Sequence, residues 1–233
     1  MNLLAFETAT EACSVALWLD GRISERFEIA PRRHAQLALP FAQSLLDEAG
    51  IAKSALDAIA VGRGPGAFTG VRLAIALAQG LALALDRPVV PVSTLAALAL
   101  GALTDDPSGS AILAVIDARM GEIYAGAFER DADGLVNAIA EEVLCRAEDL
   151  DLPERPRWCV DGTGWAAYEA ALRLRLPGTP VHADGSALPR AAAVARLAAR
   201  AYERGEAVDA ALAQPVYLRD KVALTLEEQH RSR

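Results

Sequence analysis

Apolar positions in the first thirty residues fall into three short runs, at 3–6, 14–19 and 22–29, and the Asp20-Gly21 dipeptide between the last two marks a hairpin. The period then changes. Leu37, Phe41, Leu45 and Ala49 recur at four-residue intervals within 33–49, the stripe of an amphipathic helix, and Gly50 is placed to stop it. Pro40 inside that run predicts a kink, because proline removes a backbone donor and crowds the preceding turn. A strand at 58–61, a helix at 71–85, a strand at 89–92 and a helix capped by Ser93 or Thr94 complete the first half.

The second half opens the same way. Strands at 111–116 and 122–128 are followed by an Asp133-Gly134 turn into a third at 135–144, and an offset of about 109 residues carries the first pair of strands onto this one. Further on, the pattern predicts a strand at 158–160, a Gly162-Thr163-Gly164 turn, a helix at 165–174, a closing helix at 191–204 and an extended segment at 212–217. The chain therefore reads as α/β, built from two duplicated lobes at 1–108 and 109–233.

The helix at 71–85 departs from the amphipathic rule. Leu73, Ile75, Leu77, Leu81, Leu83 and Leu85 alternate with Ala74, Ala76, Ala78, Gly80, Ala82 and Ala84, so it has no polar face. Such a helix must be covered on every side, by another helix of the chain or by a partner.

Composition narrows the classes. The 233 residues include 50 alanines and carry a net charge of −8, with Lys53 and Lys221 the only lysines, which gives no broad electrostatic footprint for nucleic acid. Residues 73–85 are too short a charge-free stretch for a membrane span, and Glu7 and Glu11 sit where a signal peptide would be apolar. A cytoplasmic protein is expected, with Cys13, Cys145 and Cys159 as reduced thiols. Arg196, Arg200 and Arg204 form an i, i+4 stripe that reads as a solvated face.

Chemistry concentrates at a few places. The loop from Gly62 to Gly70 joins a strand to a helix start, where backbone donors and the helix dipole favour an anion, and Arg63 and Arg72 flank it. It lacks the Walker lysine and carries Pro65 inside the dinucleotide fingerprint, so a tight turn packed on its own helix is the competing reading. Asp117 and Arg119 end a strand on the side where open α/β sheets place ligands, with a salt-bridged turn as the alternative. His34, His182 and His230 are too scattered for a local zinc signature, and His34 beside Arg32 and Arg33 reads as a capping or surface residue.

Taken together, FETATEACSVAL at 6–17, HAQLALP at 34–40, GRGPGAFTGVR at 62–72, IDARMGEIY at 116–124 and PVYLR at 215–219 resemble the TsaB family, also called YeaZ, over almost the whole chain. The resemblance implies an actin-like, Hsp70-like ATPase (ASKHA) fold of two βββαβα-type lobes, with the final segment returning to the N-terminal lobe. It also implies a non-catalytic subunit that works with the catalytic paralogue TsaD and the ATPase TsaE. Their joint product is threonylcarbamoyladenosine, next to the anticodon of tRNAs that read codons beginning with A.

In that family a helix bundle of the N-terminal lobe makes the dimer contact. The resemblance thus places His34, Leu37, Phe41, Leu45, Leu73, Ala74, Leu77, Ala78 and Leu81 at the partner surface, with a homodimer when the chain is alone. Arg63, Gly64, Gly66, Thr69, Gly70, Arg72, Asp117 and Arg119 are the candidate contacts for a weakly held or interface nucleotide or anion, and no cofactor is required. The paralogue's His-x-x-x-His metal motif is matched here by Thr94 to Leu98, so no metal site and no catalytic residue are expected. Glu7 stands where relatives carry Asp, the acid that in true ATPases of the fold helps place metal and phosphate. The alternatives are a nucleotide hydrolase or peptidase acting alone, or a module that binds tRNA directly instead of through the complex.

Overall fold

In the computed structural model, which describes residues 1–102 and 110–219, the N-terminal runs form β1 (Asn2–Glu7), β2 (Ala12–Leu19) and β3 (Arg22–Ile29). After them come α1 (His34–Ala49), β4 (Ala58–Gly62), α2 (Phe68–Leu85), β5 (Val89–Val92) and α3 (Thr94–Gly101). The sheet order is β3-β2-β1-β4-β5, antiparallel through the hairpins and parallel from β1 outward. Both faces of β1 and β4 are covered, which is why they read as unbroken apolar runs.

The second lobe contains β6 (Ala111–Arg119), β7 (Glu122–Arg130), β8 (Val136–Ala138), β9 (Val143–Arg146), β10 (Trp158–Asp161), α4 (Thr163–Arg175), β11 (His182–Asp184) and α5 (Ala191–Glu203). Its order, β11-β10-β6-β7-β8 with β9 also on β7, repeats the plan of the first sheet. Where α1 stands in the first lobe, the second has only a 3₁₀ turn, Ala147–Asp149. This is the duplicated actin-like α/β arrangement that the resemblance implies.

The closing helices are exchanged. α3, the last element of the first half, packs on β6, β7 and β8, while α5, from the second half, packs on β1, β2, β4 and β5. The pair also touch each other, so one apolar core joins the inner faces of both sheets. Separate outer cores lie beneath α1 and α2 and beneath α4. The expected division at 108/109 falls outside the described residues.

Each exchanged helix receives a carboxylate from the other lobe at its N-terminus, where the helix dipole favours negative charge. Ser93 Oγ accepts from the Ala96 N–H at 3.1 Å and donates to Glu142 of the second lobe. At α5, Ser14 Oγ accepts from the Ala191 N–H at 2.9 Å and Glu25 Oε1 from the Ala192 N–H at 3.0 Å, and Arg190 pairs with Glu25 at 2.6 Å.

Several expectations are corrected. α1 runs unbroken through Pro40, which sits at an exposed position where the missing backbone donor and the ring crowd no core neighbour. The strand expected at 135–144 is two short ones, β8 and β9, and the break between them lets Glu142 reach Ser93. β11, three residues long, gave no periodic signal. In the arginine stripe Arg200 is no solvated side chain: it pairs with Asp131 and donates to the Val136 carbonyl at 2.8 Å. α2 begins three residues early, and at 18 residues it is long and apolar enough to cross a membrane by length and composition. Here its inner side lies on the first sheet.

Candidate functional site

Two regions could carry function: the outer surface made by α1 and α2, and the cleft between the lobes. α2 lays Val71, Ala74, Ile75, Ala78 and Ala82 against the sheet, so it is mainly alanine that faces inward and lets the helix sit close. At its N-terminal end the outward face carries Phe68, Thr69 and Arg72, and beyond Arg72 it consists of Ala76, Gly80, Leu83 and Ala84, with Leu83 66% exposed. Leu73, Leu77 and Leu81 are half-buried along the margin. On α1, Leu39 and Pro40 are exposed beside it, and a groove of about 390 Å³ between the two helices is lined by Leu39, Pro40, Leu46, Leu81, Leu85 and Lys53, among others.

The predicted partner residues divide accordingly. Leu37, Phe41, Leu73, Leu77 and Leu81 border the open surface. Leu45, Ala74 and Ala78 do not: they are essentially fully buried in this chain's own core, because the close approach of each helix to the sheet uses those positions. His34 turns the other way, lining the interlobe cleft with Nε2 at 3.0 Å from the Thr10 carbonyl. Ala76, Leu83 and Leu39 were missed. The stripe Ala74, Ala78 and Ala82 at four-residue spacing was the available signal, since it marks the inner side and leaves 76, 80, 83 and 84 outside.

The glycine-rich loop is shaped by its own fold. A Cβ at Gly62 would lie 2.0 Å from Glu7 Oε2, one at Gly66 2.5 Å from the Ala9 carbonyl and one at Gly70 2.0 Å from the Thr8 carbonyl. The β1–β2 turn thus presses into the loop, and the Ala67 N–H is already given to the Ala9 carbonyl at 2.7 Å. The turn after β10 repeats this, with Gly162 closing on the Val115 carbonyl.

Glu7 is buried rather than turned to the cleft. Its carboxylate accepts from the Ala9 N–H at 2.8 Å and from Thr94 Oγ1 at 3.0 Å, and Thr94 Oγ1 accepts in turn from the Gly64 N–H at 3.2 Å. Burial pushes its pKa up to about 7. Thr94 and Leu98, the positions matched to the paralogue's metal ligands, are core residues. Among the described residues no group of three His, Cys, Asp or Glu side chains is gathered for a metal.

The cleft itself has a volume of about 1070 Å³ and is walled by both lobes. Of the eight candidate anion contacts, Gly66, Arg72, Asp117 and Arg119 line it, whereas Arg63, Gly64, Thr69 and Gly70 do not. Asp117 and Arg119 form an ion pair at 2.7 Å, and Thr163 Oγ1 accepts from the Asp117 N–H at 3.1 Å. The Arg72 guanidinium lies 3.8 Å over the Phe68 ring and donates from Nε to Tyr217 Oη at 2.6 Å. The resemblance returns the final segment to the N-terminal lobe, but no local pattern pairs Tyr217 with Arg72, 145 residues away.

A family model described as TsaD: tRNA N6-adenosine threonylcarbamoyltransferase matches residues 27–229. The chain is 42% identical to the tRNA threonylcarbamoyladenosine biosynthesis protein TsaB of Escherichia coli (strain K12), over 96% of each chain. It is 36% identical to the protein of the same name from Haemophilus influenzae, over 95% of each. Among solved structures, YeaZ from Pseudomonas aeruginosa superposes with a TM-score of 0.85 at 48% identity, covering 93% of this chain and 99% of that one.

Proposed function

The chain belongs to the TsaB (YeaZ) family of tRNA threonylcarbamoyladenosine biosynthesis proteins, and from that membership we propose that it acts as a non-catalytic scaffold. In this reading it docks onto the transferase subunit, TsaD, and makes it competent, with the ATPase TsaE engaging the assembled pair and tRNA meeting the complex in the cytoplasm. The observation that carries the proposal is the outward face of α2 beyond Arg72, where Ala76, Gly80, Leu83 and Ala84 offer water no polar atom beyond the backbone. Contiguous apolar surface of this kind marks an interaction site, and small residues permit close helix-on-helix packing.

The burial of Glu7 against Thr94 supports the same reading, since it withdraws from the cleft the acid that would hold metal or phosphate. Alone, the chain pairs with a second copy through the same face. The test is reconstitution with the transferase subunit, the ATPase, a threonylcarbamoyl donor and tRNA. Transfer is expected to require this chain and to fail with Leu83→Arg. Transfer without the chain, or turnover of ATP by the purified chain alone, overturns the proposal.

A further inference from the structure

The chain does not end its structured course on α5. Val208 pairs with Val89 at the edge of the first sheet, the 3₁₀ turn Ala210–Leu212 follows, and residues 213–219 then run on without secondary structure from one lobe to the other. The Ala213 carbonyl accepts from Gln79 Nε2 of α2 at 3.0 Å. Val216 donates its N–H to the Arg63 carbonyl at 2.8 Å, and its own carbonyl lies over Gly64, where a Cβ would approach it to 3.1 Å. Tyr217 stacks on Phe68, with ring centroids 5.6 Å apart, and accepts from Arg72.

Two residues later the segment has crossed. Arg219 donates to the Ala118 carbonyl at 3.0 Å and pairs with Glu122 at 2.7 Å, both in the β6–β7 hairpin of the second lobe. The Arg219 side chain is 16% exposed and that of Glu122 32%, so the pair is partly sheltered from the screening that weakens surface ion pairs. Val216, Tyr217 and Arg219 all line the cleft.

We propose that residues 213–219 are a strap that holds the interlobe cleft at a fixed opening, tying the glycine-rich loop and the first turn of α2 to the β6–β7 hairpin. The two lobes share an apolar core through α3 and α5, which fixes their base. The mouth of the cleft has no such core, and the strap spans it. Opening is therefore set by the chain's own C-terminal segment, and loss of the Arg219 anchor frees the hairpin from α2.

Hydrogen exchange on the full chain tests this. Arg219→Ala is expected to speed exchange about tenfold or more in both 62–72 and 117–124, the size expected from losing a charged, partly sheltered tie, with the radius of gyration increasing and the inner strands unchanged. Exchanging the pair, Arg219→Glu with Glu122→Arg, is expected to restore part of the protection. Tyr217→Phe removes only the Arg72 bond and is expected to loosen 62–72 alone. Unchanged exchange in both segments with Arg219→Ala overturns the strap, as does faster exchange spread evenly over the whole chain. These readouts need no partner, so they stand or fall apart from the scaffold reading.

Discussion

α2 and α4 hold the same place in the two lobes, each following its lobe's glycine turn and covering the outer face of its sheet, yet they meet water differently. α4 exposes Glu169 and Arg173 as an ion pair at 2.7 Å, and its Arg175 donates to the Leu150 carbonyl. α2 carries no charge between Arg72 and Asp86. Duplication preserved the inward packing, because both helices must fit a sheet, and left the outward faces free to diverge. The divergent face is the one proposed above to meet a partner.

The contrast breaks most readily at the surface. Ala76→Arg or Leu83→Arg on α2 is expected to weaken co-elution with the transferase subunit by about 30-fold or more, the range of an interface hot spot of roughly 2–4 kcal/mol. Ala166→Arg or Leu174→Arg on α4 is expected to leave it unchanged. Equal losses of affinity from both helices, measured by titration calorimetry, abolish the distinction between α2 and α4.

A second pair of features differs in pH dependence. Glu7 in the first lobe is buried with a pKa raised from 4.5 to about 7, so the folded chain holds a proton that the unfolded chain releases. Its contribution is therefore fully present below about pH 4.5 and is lost as pH rises through about 7, a change on the order of 3 kcal/mol. Glu7→Gln should flatten that slope in urea unfolding measured between these limits. Asp161 in the second lobe, raised by burial to about 6, should leave a smaller slope that ends lower; a Gln variant retaining the whole slope removes Glu7 from the account.

Packing gives the next difference. Ala78→Leu inserts bulk between α2 and the sheet and is expected to cost about 1–3 kcal/mol, whereas Ala167→Leu on the exposed side of α4 is expected to stay within about 0.5 kcal/mol. Thermal unfolding separates them. The smallest effect is that of Glu169→Ala, expected at about 0.3–0.5 kcal/mol for an exposed i, i+4 pair, since Arg173 keeps its place over the Trp165 ring.

Much of this was legible in the chain. Asp20-Gly21 closes its hairpin with both residues at positive φ, and Gly50 ends α1 in the left-handed region, since such turns are local chemistry. What escaped was set by distance. The resemblance assigns Leu45, Ala74 and Ala78 to the partner surface by the helices they lie on, while their burial follows from how near a helix made of alanine can lie to a sheet. The glycines at 62, 66 and 70 suggested an anion, but their immediate neighbours are Glu7, Ala9 and Thr8, some sixty residues earlier. Neither Tyr217 at Arg72 nor Glu142 at Ser93 has any local signature.

The exchanged helices carry a consequence for synthesis. A chain emerging from the ribosome completes the first sheet by Val92, but the helix that seals its inner face, α5, begins only at Ala191, roughly 90 residues after α3 ends. At about 5–20 residues per second the nascent first lobe waits some 5–20 seconds with that face bare. A chaperone that binds apolar strands should therefore be found on ribosomes stalled before residue 191 and be absent once α5 has emerged.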